Sequence, residues 1–314
     1  RDAVFEIGMN HTGEIRPLTR MVRPQVALVT QIAPAHIEYF PDGLAGIADA
    51  KAEIFEGLEP GGHAVINRDA PQAERLVARA QALGARVLTF GRHADATVRL
   101  LDLSLHATCS AVTAKVGRET LDYCLSLPGE HMAMNSLGVL AAVQAAGADV
   151  VKAAQAMAGL RGLKGRGQRL RLALAGGGVE LIDDSYNANP VSMAAAFAVL
   201  GQAKPGPGGR RIAVLGDMLE LGAERDQLHA GLAAPLLAAG VDLLFACGPG
   251  MAALFQALPA AKRAQHTADS AQLAPRLLAA LRPGDVVLVK GSLGSRMARV
   301  IEALTQPPAA AVPA

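Results

Sequence analysis

Tryptophan is absent from these 314 residues and the aromatic share is only 3%, so base-stacking platforms for single-stranded nucleic acid are excluded as a basis for function. Charge of one sign is not in excess either. Thirty Lys and Arg against 28 Asp and Glu give a formal +2, which offers no field for nucleic acid or an anionic membrane. Cysteine is scarce: Cys109, Cys124 and Cys247 are odd in number, far apart and in no metal-ligand spacing. That pattern predicts buried free thiols in a reducing cytoplasm. No apolar run reaches transmembrane length and no charged–apolar–small signal segment opens the chain, so no integral membrane association is expected. Two nucleotide-binding signatures are also missing. No G-x-x-x-x-G-K-[ST] occurs anywhere, and no G-x-G-x-x-G follows a strand in the second half, which argues against an oxidoreductase.

What is present is an ordinary globular composition, 51% hydrophobic and 18% charged, in a chain long enough for two cores. The opening, Asp2-Ala-Val-Phe-Glu-Ile, reads as a core strand from the first residues, and a natural N-terminus seldom begins there. A fragment of a longer protein is therefore expected. Residues 4–6, 26–32, 63–66 and 86–90 read as strands, with helical patterns at 44–58 and 71–83 between them, so βαβ units and a parallel sheet are predicted. From 97 to 127 the pattern turns to alternating and β-branched runs, which predict antiparallel strands added at the sheet edge. Two Ala-rich helices, 131–146 and 150–160, precede a Gly- and Arg-rich linker at 160–168. In the second half, runs at 170–173 and 179–182 flank Gly176-Gly177-Gly178. Strands at 212–215, 243–246 and 286–289 then alternate with helices beginning at Pro190 and spanning 223–238, 251–258, 270–281 and 293–304. The fold class is α/β: a mostly parallel first sheet with added antiparallel strands, followed by a doubly wound, Rossmann-like domain. Boundaries of 1–167, 168–305 and a loose tail at 306–314 are expected.

The stretch 181–197, LIDDSYNANPVSMAAAF, is the densest in polar groups. A strand end, a polar turn and a helix opened by Pro190 form the place where α/β proteins hold ligands. A helix-capping Asx turn explains the same residues more simply, and both readings stand on spacing alone. Glu6 at one predicted strand end and His36 just past another would suit a divalent cation, while His36 serves equally as a capping or core histidine. Lys51 on an otherwise apolar helix reads first as a solvated lysine, and Asn67 and Asp69 read first as turn residues. Gly129, Glu130 and His131 open a helix with Asn135 one turn in, where an adenine or a simple cap would fit. Arg166 between two glycines would suit a phosphate or be a surface group. Lys290-Gly291-Ser292, between a strand and a helix, would suit a phosphate or carboxylate.

Taken in order, Phe5-Glu-Ile-Gly-Met-Asn-His-Thr-Gly-Glu-Ile, Ala35-His-Ile-Glu, Ala50-Lys-Ala-Glu-Ile-Phe and Pro128-Gly-Glu-His with Asn135 resemble blocks of the Mur ligases of bacterial cell-wall synthesis. Gly165-Arg, Asp183-Asp-Ser-Tyr-Asn-Ala-Asn-Pro, Leu215-Gly-Asp-Met-Leu-Glu-Leu-Gly and Val289-Lys-Gly-Ser continue the series to about residue 300. The resemblance implies most of a central ATPase domain followed by a C-terminal domain, with a UDP-binding domain and the ATP phosphate loop upstream of Arg1. It implies a cytoplasmic, monomeric, ATP- and Mg²⁺-dependent amide ligase that activates a carboxylate as an acyl phosphate. The elbow DDSYNANP with GDMLELG resembles the branch that joins D-alanyl-D-alanine to UDP-N-acetylmuramoyl-tripeptide. Another acceptor, or an inactive nucleotide-binding fragment, are the alternatives.

The resemblance also implies roles for single residues. Glu6 and His36 would be Mg²⁺ ligands, and Lys51 the lysine that becomes carbamylated and holds a second Mg²⁺, so that Lys51, His36 and Arg166 serve catalysis. His131 and Asn135 would contact adenine, Arg166 an ATP phosphate and Asp184 the ribose. Tyr186, Asn187, Asn189, Lys290 and Ser292 would face substrate. Gln31, Met132 and Leu293 depart from the family pattern, at positions where Asn, Asn and Arg are usual.

Overall fold

The computed structural model describes residues 3–34 and 37–306. The chain divides into two compact units, residues 1–160 and 161–314. His36 and residues 307–314 of the expected tail lie outside the described residues.

In the first unit one six-stranded sheet runs in simple sequence order. Its strands are β1 (Val26–Val29), β2 (His63–Asn67), β3 (Arg86–Gly91), β4 (Val98–Leu105), β5 (Ser110–Val116) and β6 (Glu119–Leu125). The first four pair in parallel and the last two turn back as an antiparallel meander, as the change of pattern after residue 97 predicts. The helices α2 (Leu44–Ala52) and α3 (Ala73–Ala82) pack with Ile47, Phe55, Ile66 and Leu76 in one core. The helix α4 (Glu130–Ala145) brings Leu137 and Leu140 against Phe90 and Val112 in another. Asp149 caps α5 (Val150–Ala156) by accepting from the Val151 and Lys152 N–H groups.

Two features of this unit differ from the sequence reading. Residues 4–6 form no strand, and Val4 and Phe5 are 98% and 62% exposed. No strand of the sheet pairs with them, and an extended segment without a neighbour has no ladder to hold it. Glu6 accordingly lies in an exposed, extended stretch rather than at a strand end. The second is an unexpected helix, α1 (Ile15–Val22). Eight residues with Pro17 in the first turn are too short to hold a helix alone, and tertiary contacts supply the rest. Arg16, Arg20 and Arg23 recur at one-turn spacing and reach Glu56, Glu56 and Glu59. The Thr19 hydroxyl donates to the Ile54 carbonyl at 2.7 Å. At Gly57 a Cβ would sit 2.4 Å from the Thr19 backbone. Gly57→Ala is expected to push α1 away and lower stability by about 2–3 kcal/mol in urea unfolding; an unchanged midpoint would show that α1 is not held there.

The second unit holds another six-stranded sheet, made of β7 (Gln168–Leu174), β8 (Gly177–Asp184), β9 (Arg211–Gly216), β10 (Leu243–Cys247), β11 (Arg263–Thr267) and β12 (Val286–Lys290). The order is β11-β10-β9-β12-β8-β7, parallel except for the β7/β8 hairpin. Helices α6 (Pro190–Gln202) and α9 (Met251–Ala257) contribute to one core around Phe197 and Leu215, and α10 (Ser270–Ala280) and α11 (Ala298–Thr305) to a second around Phe245 and Val289. The expected single helix at 223–238 is split into α7 (Arg225–Ala230) and α8 (Ala233–Ala238). Pro235 has no N–H to continue the helical ladder across Gly231. Strand β11, Arg-Ala-Gln-His-Thr, is a sheet edge with one buried residue and so carried little apolar signal. The cysteines also differ from expectation: Cys247 is buried, but Cys109 is half-buried and Cys124 exposed.

Candidate functional site

The polar groups of the second unit gather at the carboxyl ends of its parallel strands. Asp184 ends β8 and Lys290 ends β12, and the two are direct partners in the β8/β12 register. Their side chains meet at 2.7 Å, and the Lys290 ammonium also donates to the Asn187 carbonyl at 2.8 Å. Lys290 is only 3% exposed, so its charge is spent on holding the elbow 183–189 in shape. Asp184 keeps partial exposure.

Asp183, one residue earlier, points into the unit and is 1% exposed. Its carboxylate accepts from the Gly165 N–H at 2.9 Å and from the Ser185 N–H and hydroxyl at 3.2 and 2.6 Å. Its carbonyl accepts from the Gly167 N–H, and the Tyr186 N–H donates to the Gly165 carbonyl. Gly165 and Gly167, within the segment 160–168 expected as a linker, are thereby tied to the elbow. Arg166, between the two anchored glycines, lies with its guanidinium carbon 4.3 Å from the Tyr186 ring centroid, a cation–π distance.

Of the other elbow residues, Tyr186 and Asn187 are exposed. Asn189 is the N-cap of α6 in a complete capping box: its side chain accepts from the Ser192 N–H, and its own N–H donates to the Ser192 hydroxyl. Ser292 is 6% exposed. Its hydroxyl accepts from the Leu219 N–H at 3.0 Å and donates to the Ala188 carbonyl at 3.4 Å. It thus rivets the loop after β9 to the elbow, and Leu293 beside it is 65% exposed.

Asp217 in the loop after β9 and His229 on α7 are two buried groups to which sequence reasoning gave no role. The Asp217 carboxylate accepts from the Gly250 and Met251 N–H groups at the start of α9. His229, fully buried, accepts at Nε2 from the Met218 N–H at 3.0 Å, while its Nδ1 donates to the Arg225 carbonyl at 2.7 Å. These bonds fix the neutral tautomer, and burial holds the His229 pKa below its ordinary 6.5. The same strand-end logic that singled out Asp184 applies to Asp217, which follows β9 by one residue. Because the folded pKa is depressed, the unfolded chain takes up the proton first. The stability linked to His229 is complete above about pH 6.5 and is lost as pH falls toward the lowered folded value. Urea midpoints at pH 7.5 and 5.0 are expected to fall more in the wild type than in His229→Gln; equal falls would contradict the assignment.

In the first unit Lys51 lies one residue before the end of α2, half-buried between buried Ala50 and Ala52. Burial lowers its pKa from the ordinary 10.5, which raises the share of neutral, nucleophilic amine. Glu53, two residues on, is 3% exposed and accepts from the Gly13 and Arg16 N–H groups, so it anchors α1. Asp69 is a turn residue, as read, whereas Asn67 is the last residue of β2: the Asp69 N–H donates to the Asn67 side chain, and Asp69 in turn accepts from the Arg92 and His93 N–H groups. At the start of α4 the N-cap is Gly129, with φ +118°. His131 and Asn135, four residues apart on this helix, are both exposed, so they share a face within the first two turns. Among the described residues no group of three His, Cys, Asp or Glu side chains is arranged to hold a metal ion. The expected pairing of Glu6 with His36 falls on a residue outside the described set. No helix among those residues is long and apolar enough to cross a membrane.

Comparison with known proteins places both units. Residues 1–143 match the model of the Mur ligase middle domain, and residues 165–293 that of the Mur ligase, glutamate ligase domain. The UDP-N-acetylmuramoyl-tripeptide–D-alanyl-D-alanine ligase of Escherichia coli is 36% identical over 311 residues, covering 97% of this chain and 65% of the relative. The ligase of the same description from Bacillus subtilis is 32% identical over 311 residues, covering 98% and 65%. The crystal structure of MurF from Acinetobacter baumannii superposes with a TM-score of 0.82 at 28% identity, covering 95% of this chain and 63% of that one. The chain therefore spans about two thirds of the length of the curated relatives it matches. With both domain models in order and relatives aligned over nearly all of it, the chain belongs to the Mur ligase family, as a middle domain followed by a C-terminal domain.

Proposed function

We propose that this chain is the catalytic middle and C-terminal part of a MurF-type ligase, which joins D-alanyl-D-alanine to UDP-N-acetylmuramoyl-tripeptide at the expense of ATP. The single observation that carries the reading is the likeness to the E. coli ligase of that description through both domains. The elbow and the loop after β9, which carry the sequence blocks typical of that branch, support it: they are joined through Ser292 into one polar corner at the strand ends.

The family pattern assigns a residue of this chain to each group such a reaction needs. His131 and Asn135, exposed on one face at the start of α4, would hold the adenine, and the partly exposed Asp184 would receive the ribose. Arg166, presented on the Tyr186 ring, would meet a phosphate. The half-buried Lys51 would become a carbamate and so offer Mg²⁺ the oxygen ligands it prefers, together with His36 and Glu6. ATP would supply the phosphoryl group that turns a poor electrophile, the substrate carboxylate, into a reactive one. Lys290 and Ser292, both buried, serve this reading by shaping the elbow whose Tyr186 and Asn187 face outward. Substrate loading is thus assigned to the exposed residues and positioning to the buried ones.

Acceptor competition tests the branch. With D-alanyl-D-alanine and single amino acids offered together to the full-length protein carrying this chain, the product is expected to gain the mass of the dipeptide. Gain of a single amino acid would keep the family chemistry and replace the acceptor, with exposed Leu293 as the first residue to question.

A further inference from the structure

We infer that Asp183, buried beneath the elbow, is a positioning residue that sets Arg166 and Tyr186 as one unit. The inference rests on the proposed phosphate contact of Arg166 and goes beyond it. Asp183 is 1% exposed, so it acts through its neighbours rather than on a ligand. Its two carboxylate oxygens and its carbonyl take four hydrogen bonds from two separate stretches: Gly165 and Gly167 on one side, and the Ser185 N–H and hydroxyl on the other. The Tyr186 N–H closes the loop on the Gly165 carbonyl at 3.0 Å.

Arg166 is the residue enclosed by these ties. Gly165 and Gly167 both have positive φ, +72° and +76°, so the chain turns sharply on each side of it. The Arg166 N–H donates back to the Leu163 carbonyl at 2.8 Å. A Cβ on Gly165 would lie 3.1 Å from the Tyr186 Cβ, so the two stretches are in close contact and glycine permits it. The backbone of Arg166 is thereby fixed, and the Tyr186 ring, 4.3 Å from its guanidinium, fixes the far end. A free arginine carries about 2 kcal/mol of rotamer entropy; holding both ends removes much of that cost before a phosphate arrives. The carboxylate is specifically required, because an amide would turn an NH₂ group toward one of the N–H donors and leave it unsatisfied.

Asp183→Asn separates this role from a merely structural one. Hydrogen exchange of the amides in residues 164–168 is expected to speed up about tenfold, with the second unit still folded at the assay temperature. In the full-length protein, ATP-dependent turnover is expected to fall about tenfold at unchanged KM for the acceptor. Added to Arg166→Ala, the same change is expected to cost nothing further, since the two act through one group. Should Asp183→Asn fail to fold, Ser185→Ala, which removes the 2.6 Å bond but leaves the Gly165 tie, is expected to give smaller changes in the same direction. Unchanged exchange at 164–168, or equal losses with and without the Arg166 side chain, would overturn the inference. If no variant and no wild type turns over, the ligase reading fails, and the exchange measurement alone decides the role of Asp183.

Discussion

Lys51→Met is expected to lower ATP-dependent phosphate release by the full-length protein about a thousandfold or more, with the first unit still folded. Met keeps the length and apolar character of the lysine stem in its half-buried place on α2, so packing is preserved. What it removes is the amine. If Lys51 served as a simple cation, Lys51→Arg would restore most of the activity. If the amine becomes a carbamate, an anion, as proposed above, Arg is expected to be as inactive as Met. The physical basis is burial, which lowers the lysine pKa and so favours the neutral amine that reacts with carbon dioxide. Loss of an electrostatic stabiliser aimed at transferring phosphoryl charge is worth on the order of a thousandfold. A ¹³C carbamate signal after incubation with labelled bicarbonate, absent in Lys51→Met, is the direct check. Full activity of Lys51→Arg would contradict the assignment.

The second large effect lies at the opposite ends of the strands in the second unit. Asp285→Ala is expected to lower stability by about 3–5 kcal/mol, read as a fall in the urea midpoint of that unit. The Asp285 side chain is fully buried and that of Arg210 is 17% exposed. The guanidinium meets the carboxylate through two bonds, at 3.1 and 2.7 Å, and the Arg210 and Arg282 N–H groups donate to the same carboxylate. Removing the acid leaves all of these donors without their acceptor and a charge without its partner. The backbone around the pair is equally tight, since a Cβ on Gly209 would lie 2.0 Å from the Gly284 carbonyl oxygen. The pair stands before β9 and β12, away from the strand ends that carry the elbow. Its loss is therefore expected to lower stability while leaving KM values of the folded fraction unchanged. A fall of less than about 1 kcal/mol would show that the pair is replaceable.

The contrast between Asp183 and Asp184 shows what the sequence could and could not reveal about the site. Adjacent carboxylates at a strand end are visible in the sequence, but period-two alternation alone decides that one turns inward and its neighbour outward. The lysine at 290 looked like a ligand group because it ends a strand. Only the β8/β12 register reveals that Asp184 is already beside it. A cap ahead of Pro190 was one of the two readings the elbow allowed, and Asn189 bears it out, whereas the engagement of Ser292 as a rivet depends on partners far along the chain. In the fold, strands with apolar runs were readable as elements, including the antiparallel meander, with some ends such as that of β1 misplaced by two or three residues. What escaped was held by tertiary contact: α1 by its arginine ladder, β11 by the neighbouring β10, and the split of α7 from α8 by a single proline. Residues 4–6 erred the other way, with strand-like composition and no strand to pair with.

The most direct test of the proposed function is phosphate release by the full-length protein carrying this chain, with ATP, Mg²⁺, UDP-N-acetylmuramoyl-tripeptide and D-alanyl-D-alanine each omitted in turn. Release is expected only when all four are present, in step with formation of the pentapeptide product. Release that persists without the dipeptide and the muramoyl peptide, or none with the complete mixture, would contradict a MurF-type ligase.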